Sequence, residues 1–232
     1  MGELTSPGAA AGSIVVLVPL GSLEQHGPHL PLDTDTRIAV ALCVGAARAW
    51  AQDPQPHRAQ LRIGPTIGYG ASGEHAGFAG TLSIGTEALS AMLVELTRSA
   101  GPEIEALVVV NGHGGNHEAV RRAAEVAHRE GRRLLAWSPP LPPDGDHHAG
   151  WVETSVMLAL HPTLVRLELA EAGNVAPIGE LADALRRGGL AAVSPNGVLG
   201  DPAPANAARG GALLAGWERD LSVHLRRWLA MG

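Results

Sequence analysis

The chain has 232 residues, of which 45% are hydrophobic, and a formal net charge of −6 at pH 7. This length suits one large α/β domain with a sizeable core, and the hydrophobic content excludes a disordered protein. The negative charge argues against a general nucleic-acid-binding protein, because no arginine-rich face offsets it.

The sequence also predicts a cytoplasmic protein that does not enter the membrane. No apolar run approaches the roughly 20 residues that span a bilayer. Residues 1–12 lack the basic start and the long apolar stretch of a secretory signal. Cys43 is the single cysteine, so it cannot form an internal disulfide, which fits a reducing compartment.

The first predicted elements are a buried strand, a polar loop and a helix. Residues 14–18 are aliphatic or β-branched, and residues 19–35 are rich in proline, glycine, acids and histidine. We expect a helix over residues 36–50, with Thr34 or Thr36 as its N-cap. A polar connection over residues 51–59 precedes a second strand over residues 61–67.

A glycine-rich loop over residues 68–81 follows the second strand and is too long to be a tight turn. The next helix is predicted over residues 86–98, with Thr86 as its N-cap. Its apolar stripe includes Leu89 and Leu93, which are spaced to lie on one face.

A central strand is predicted over residues 106–110, because the run is continuously apolar. It ends in the segment Asn111-Gly112-His113-Gly114-Gly115-Asn116. We expect Asn116 to cap the helix that follows and Gly131 to end it.

The last third of the chain has a strand over residues 134–137 and a loop rich in proline and acids. A helix over residues 153–160, an irregular region over residues 186–205 and a final amphipathic helix over residues 205–229 follow. Strands that alternate with helices indicate the α/β class, with a mostly parallel central sheet covered on both faces. We find no linker, so residues 1–232 are predicted to form a single domain.

Several unusual loops should meet at one edge of this sheet. Loops at the carboxyl ends of parallel strands share an edge, and ligands bind there. The acids among them would repel one another unless a cation holds them. Such oxygen and imidazole donors suit zinc, manganese or iron. The residues brought within reach are Glu24, His26, Asp35, His113, His148 and Glu153.

Structural roles, nucleophilic catalysis and phosphate binding explain these loops less well than metal binding does. Each histidine taken alone could be an ordinary hydrogen-bonded loop residue, and Asp33 could serve only as a helix cap. Gly70-Ala71-Ser72-Gly73-Glu74 lacks the last glycine of a nucleophile elbow, and Cys43 lies inside a predicted helix. The chain contains no lysine and therefore no phosphate-binding loop of the G-x-x-x-x-G-K-[ST] type.

These residues also carry a resemblance to a known family. The segments are Leu23-Glu24-Gln25-His26-Gly27-Pro28-His29-Leu30-Pro31, Asp35, Asn111-Gly112-His113-Gly114-Gly115-Asn116, His148-Ala149-Gly150 and Glu153-Thr154-Ser155. In this order they resemble the motifs of the creatininase family of metal-dependent amidohydrolases. The resemblance covers residues 15–201, which is most of the chain.

The resemblance implies a three-layer α/β/α fold and a homo-oligomer, hexameric or similar. It implies two divalent metal ions per subunit (Zn, Fe or Mn) that activate a bridging water. By motif position, Glu24 and His113 would hold one ion and His26 the other, with Asp35 bridging them. His148 would be the catalytic histidine.

The resemblance also implies which residues bind substrate, and this chain differs from creatininase at one ligand position. The substrate-binding residues would be Ser72, His75, Gly114 and Trp151. Creatininase has a glutamate ligand two residues after the equivalent of His113, and this chain has Gly115 there. Glu153 is therefore our candidate for the missing carboxylate, and creatinine is a doubtful substrate.

Three functions remain open at this point. The chain most resembles family members that remove C-terminal residues from a modified ribosomal precursor peptide of a redox cofactor. The alternative is hydrolysis of a small cyclic amide or a formamide, of the creatinine or formamidopyrimidine type. A distant third is a scaffold that keeps the fold without catalysis. Only a peptide substrate and further copies of the chain are expected as partners.

Overall fold

The computed structural model describes residues 1–53 and 59–230. Of the predicted connection over residues 51–59, residues 54–58 lie outside this description. The strands are β1 (Ser13–Leu20), β2 (Ala59–Ile63), β3 (Ile104–Asn111) and β4 (Leu134–Trp137). They form a four-stranded sheet of order β2-β1-β3-β4 in which every neighbouring pair is parallel. The predicted parallel sheet is confirmed.

Helices connect and cover these strands. Within the described residues, the α-helices are α1 (Ser6–Ala10), α2 (Thr34–Ala51), α3 (Gly85–Ser99), α4 (His117–Arg129), α5 (Trp151–Leu160), α6 (Ile178–Gly188) and α7 (Ala207–Ala230). The helices predicted over residues 36–50, 86–98, 153–160 and 205–229 correspond to α2, α3, α5 and α7. No helix in the described part of the chain is long and apolar enough to cross a membrane.

Alternate residues of each central strand pack on opposite faces of the sheet. Val15 and Leu17 of β1 belong to the core that includes residues of α2, α5 and α7. Val16 and Val18 belong to the core that includes residues of α3 and α4. Because both faces are buried, the strand reads as a continuous apolar run rather than an alternating one. The predicted three-layer arrangement is confirmed.

The strand order creates a switch point between β1 and β3. The chain leaves β1 toward α2 on one face of the sheet and leaves β3 toward α4 on the other. Connections that diverge in this way open a crevice at the carboxyl ends of the two strands. The loops that follow Leu20 and Asn111 therefore border a common crevice.

The predicted threonine caps of α2 are wrong. The helix begins at Thr34, its N-cap is Asp33, and no side chain caps it. The Thr34 hydroxyl donates to the Pro31 carbonyl at 2.7 Å, and the Thr36 hydroxyl donates to the Ser22 carbonyl at 3.2 Å. Both hydroxyls thus bond to carbonyls of the preceding loop and do not cap the free amides of the helix.

The cap predicted for α3 is wrong, and the cap predicted for α4 is right in position but not in its bond. Helix α3 starts at Gly85 after an Ile84 N-cap, so Thr86 lies within its first turn. Asn116 occupies the N-cap position of α4 but makes no capping bond. Its side chain instead accepts from the Ala71 amide at 2.8 Å and donates to the Gly21 carbonyl at 3.0 Å. The Asn116 side chain therefore links the loops that contain Gly21 and Ala71 to the start of α4.

Two further predictions differ from the structure. Strand β2 ends at Ile63 rather than at residue 67, and Ile67 makes only an isolated bridge to Leu20. The irregular region predicted from residue 186 begins inside a helix, because α6 extends to Gly188. A short 3₁₀ turn at Leu190–Ala192 follows α6. The signal for α6 was present, since Pro177 precedes an apolar stripe that two glycines end.

Candidate metal centre

The crevice between β1 and β3 gathers the predicted ligands. Glu24 and His26 lie in the loop after β1, Asp35 is in the first turn of α2, and His113 follows β3. Glu153 is in the first turn of α5, with His148 just before that helix. The structure brings all six side chains into one cluster, and all except Glu153 are buried.

Asp35 lies between the two sides of the cluster. Its Oδ1 is 3.0 Å from His26 Nε2, and its Oδ2 is 3.4 Å from His113 Nδ1. A Cβ at Gly112 would clash with the Asp35 carbonyl, so only glycine permits this approach of the two loops. The carboxylate thus directs one oxygen toward each histidine.

Glu24 is completely buried among histidines. Its Oε1 lies 3.1 Å from His75 Nε2, and its Oε2 lies 3.1 Å from His113 Nε2. The same Oε1 is 3.9 Å from His148 Nδ1. One carboxylate therefore faces three imidazole rings from three different loops.

Among the described residues, three sets of donor atoms are close enough together to hold an ion, and two of these sets share Asp35. Glu24, Asp35 and His113 make one of the two, and His26, Asp35 and Glu153 make the other. The third set is Glu24, His26 and His148. Within each set, the donor atoms lie within 4.8 Å of one another. Such spacing leaves room for a cation between oxygen and imidazole donors, whose bonds to zinc are about 2.0–2.2 Å long.

Unpaired buried atoms indicate that a divalent ion fits this site. Within the described residues, both Glu24 oxygens, Asp35 Oδ2 and His113 Nε2 are buried without a hydrogen bond of acceptable geometry. Buried polar groups almost always have partners, so four orphaned donor atoms in one cluster need a physical cause. Carboxylate and imidazole donors suit zinc, manganese and iron.

The electrostatics of the cluster also favour added positive charge. Burial lowers the pKa of His26, but Asp35, Glu153 and Glu24 outweigh it and raise that pKa to about 10. Burial raises the pKa of Asp35 to about 6 despite the neighbouring His26. The Glu24 pKa is lowered, because His113 and the other rings outweigh the effect of burial. Protons on the histidines thus neutralise carboxylates that a metal ion would otherwise neutralise.

The orientation of His26 suits metal binding through Nε2. Its Nδ1 lies 3.1 Å from the Glu24 carbonyl, which can accept only from a protonated nitrogen. Nε2, which lies 3.0 Å from Asp35 Oδ1, is therefore the nitrogen that would bind a cation in place of its proton. Ligand histidines in metal sites commonly donate their other N–H in this way.

His148 is held by Gln25, a residue that sequence reasoning did not single out. His148 Nε2 lies 2.9 Å from the Gln25 carbonyl, so Nε2 carries the proton and Nδ1 faces Glu24 without one. Burial and the nearby His26 lower the pKa of His148 to about 4. Both effects favour the neutral form of His148.

The predicted substrate-binding residues occupy different environments. His75 lies in the cluster beside Glu24, and Gly114 lines a cavity next to it. Ser72 is fully buried, with its hydroxyl hydrogen-bonded to that of Ser22. Trp151 is buried in the core under Arg209, whose guanidinium carbon lies 3.6 Å from the ring centroid. The structure therefore brings two of the four to the crevice.

Glu74 is the charged neighbour of the cluster that sequence reasoning missed. Its Oε1 lies 3.3 Å from His113 Nε2. The available signal was its position directly before His75, which the family resemblance marks as a substrate-binding residue.

Two cavities meet at this cluster. One, of about 250 Å³, is lined by Glu74 and His148 and by Ile178 and Leu185 of α6. The second, of about 190 Å³, extends toward Pro139 and Leu141. Residues His113 and Glu153 line both cavities. The buried donors therefore adjoin two cavities.

Comparisons with known proteins agree with this geometry. A family model described as "Creatininase: Creatinine amidohydrolase" matches residues 3–224. The chain is 50% identical over 230 residues to the "Mycofactocin precursor peptide peptidase" of Mycobacterium tuberculosis, covering 99% of this chain and 91% of that protein. It is 30% identical over 201 residues to the creatinine amidohydrolase of Pseudomonas putida, covering 72% of this chain and 74% of that protein.

Solved structures show the same fold. A crystal structure of creatinine amidohydrolase matches with a TM-score of 0.80 at 26% identity, covering 99% of this chain and 97% of that chain. A structure described as "Creatininase Mn" has the same score and identity, with coverages of 99% and 98%. A creatininase mutant described as "Zn-Zn type" matches with a TM-score of 0.78 at 25% identity, with coverages of 99% and 97%. The similarity thus extends over nearly the whole chain.

Proposed function

The chain belongs to the creatininase family and is a hydrolase of amide bonds, and we propose that it removes C-terminal residues from a modified ribosomal precursor peptide in mycofactocin biosynthesis. The observation that carries this proposal is 50% identity over 99% of the chain to a protein with that peptidase name. The two cavities that meet at His113 and Glu153 support it, because a peptide extends on both sides of the bond to be cleaved.

We assign two divalent ions, zinc, manganese or iron, to the two donor sets. Glu24 and His113 would hold one ion, His26 and Glu153 the other, and Asp35 would bridge them. Related structures described with manganese and with a zinc pair support this assignment. When bound, such ions supply Lewis acidity and lower the pKa of a coordinated water.

His148 is the proposed proton carrier. Its Nδ1 is unprotonated and faces the cluster, because the Gln25 carbonyl accepts the Nε2 proton. A neutral histidine must first take a proton from the attacking water and can then give it to the leaving nitrogen. The order of these transfers follows from the neutral state of the ring, and the tautomer makes Nδ1 the nitrogen that takes the proton.

The test is hydrolysis of defined substrates by the metal-loaded protein. Incubation with the modified precursor peptide should give a C-terminal fragment and a shortened peptide, both detectable by mass spectrometry. His148→Gln should lower kcat by about 10²–10⁴-fold while its metal content stays at the wild-type level. Peptide left intact by a protein with two bound ions would rule out the proposed activity.

A second candidate function is hydrolysis of a small cyclic amide. The matching family model and the 30% identical relative both carry the name creatinine amidohydrolase. Creatinine, assayed beside the peptide, separates the two functions: rapid formation of creatine with no peptide cleavage would favour this alternative. The glycine at position 115 stands where creatininase has a ligand, so we expect no turnover of creatinine.

A further inference from the structure

Position 115 has no room for a side chain. A Cβ there would clash with Glu74 Oε1, His113 Nε2 and the Ala71 carbonyl. Two of these three atoms belong to charged side chains of the cluster, and the third is backbone, which cannot move aside freely. The space above the Gly115 α-carbon is therefore filled by the Glu74 carboxylate.

Glu74 reaches this space from a well-fixed turn. It is the middle residue of the 3₁₀ turn Gly73–His75, in which the His75 amide donates to the Ser72 carbonyl at 3.0 Å. Gly189 packs against the other side of the turn, and a Cβ at that residue would lie 2.7 Å from the Glu74 carbonyl. The φ angle of Gly189, +65°, also favours glycine at that position.

The ionic neighbour of Glu74 belongs to the metal centre. The Oε1 atom of Glu74 lies 3.3 Å from His113 Nε2. Glu24 Oε2 lies 3.1 Å from the same nitrogen. Two carboxylates thus converge on one buried imidazole, an arrangement that a cation between them would stabilise.

The two outer carboxylates approach different histidines of the cluster. Glu153 Oε2 is 3.8 Å from His26 Nε2, and its set also contains Asp35. Glu74 lies on the side of His113. Glu153 is therefore placed to complete the His26 site, while the His113 site has Glu74 as its outer carboxylate.

We propose that Glu74 is a ligand of the ion held by Glu24 and His113, and that Gly115 is required to make room for it. The chain would thereby supply from a different loop the carboxylate that position 115 lacks. This inference rests on the proposed function, because it presumes that the cluster binds divalent ions. The ligand class is Mn²⁺ or Zn²⁺.

The experiment is a calorimetric titration of metal-free protein with Mn²⁺, repeated for Glu74→Gln and for the control Glu171→Gln. Glu171 is exposed and belongs to none of the donor sets. Glu74→Gln should weaken one of two sites by about 10- to 100-fold, the usual cost of disturbing a ligand set, and leave the other unchanged. The control should bind both ions as the wild type does.

The readouts separate the possible failures. Electron paramagnetic resonance of bound Mn²⁺ should change in Glu74→Gln, because one ligand of one ion is lost. Glu74→Asp, which keeps the charge but shortens its reach, should bind with intermediate affinity and guards against a folding defect in the amide variant. Wild-type affinity for both ions in Glu74→Gln, or an equal loss at both, would overturn the Glu74 assignment alone. A wild-type chain that binds no divalent ion would overturn the proposed function as well.

Discussion

At the scale of single residues, the amide of Gln25 orders two histidines of the centre. Its Nε2 donates to the Gly197 carbonyl at 2.9 Å and to His75 Nδ1 at 3.1 Å, and its Oε1 accepts from the Gly27 amide at 2.8 Å. Since His75 Nδ1 must accept, its proton is on Nε2, which faces Glu24. The side chain therefore sets a tautomer as well as a position.

Replacing Gln25 with alanine should impair turnover without removing the metal. We expect kcat to fall by about 10- to 100-fold, as for other groups that orient ligands, because His75 loses its fixed tautomer. The free energy of unfolding should fall by about 1–3 kcal/mol, because buried partners lose their hydrogen bonds. Steady-state kinetics, elemental analysis and denaturant unfolding check these three values. A rise in KM alone, at unchanged kcat, would contradict the expected role.

His29 makes stability depend on pH in the acid range. Burial and the nearby His26 lower its pKa from 6.5 to about 4, and its Nε2 is 2.9 Å from the Thr154 hydroxyl. Between these two pKa values the unfolded chain binds more protons than the folded one. The neutral, buried His29 thus contributes to the free energy of unfolding above pH 6.5, and this contribution is lost as pH falls toward 4.

The variant His29→Gln should lack this dependence, since glutamine does not titrate and can still bond to Thr154. In chelated samples, the free energy of unfolding of the wild type relative to the variant should fall steadily from pH 6.5 to about pH 4. Parallel urea titrations at each pH measure the difference. A difference that stays constant over this range would show that His29 is protonated in the folded protein.

At the scale of elements, the packing of α5 against α7 places Glu153 at the metal centre. The two helices approach so closely that a Cβ at Gly210 would clash with the Ser155 carbonyl, while a Cβ at Gly211 would meet nothing within 4 Å. The adjacent glycines therefore provide a matched pair on one helix.

We expect Gly210→Ala to lower the free energy of unfolding by about 1–3 kcal/mol, the usual cost of overpacking. Gly211→Ala should raise it by roughly 0.5–1 kcal/mol, because alanine is the better helix former at an exposed site. Denaturant unfolding of both variants measures the two effects. The same sign for both changes would mean that α5 and α7 do not pack as closely as described.

At the scale of the whole molecule, the metal centre joins segments that are far apart in sequence. The proposed ligands come from the loops after β1 and β3 and from the starts of α2 and α5. Ions that bind only the folded chain stabilise it, by about 2.7 kcal/mol at a concentration of 100 Kd. The predicted single domain should therefore unfold as one unit whose stability depends on metal.

Removing metal with a chelator should lower Tm and abolish hydrolysis, and added Zn²⁺ or Mn²⁺ should restore both. We expect one calorimetric transition with and without metal. Asp35→Asn should give a Tm that responds little to metal, since Asp35 belongs to both donor sets. Two separate transitions would contradict the single domain, and a wild-type Tm that metal does not change would contradict the centre. Sedimentation of the same samples tests the predicted homo-oligomer.

The amino-acid sequence by itself determined where the strands and most helices lie and which types of side chain could bind a metal ion. Local periodicity is enough for β1, β3 and β4, because a buried parallel strand is a continuous apolar run wherever it occurs. Motif order was enough to predict that Glu24, Asp35 and His113 would lie together. The helix caps could not be predicted in this way, since Thr36 and Asn116 bond to loops that are distant in sequence.

Only the tertiary structure decided how the remaining side chains take part. Gln25 bonds to His75, which is 50 residues away, and its carbonyl accepts from His148, which is 123 residues away. The space at Gly115 is occupied by Glu74 from another loop. Such contacts depend on how loops meet above the sheet, and no local pattern of residue types encodes that meeting. The sequence thus specified the chemical types of donor, carboxylate and imidazole, whereas packing specified which side chains face each other.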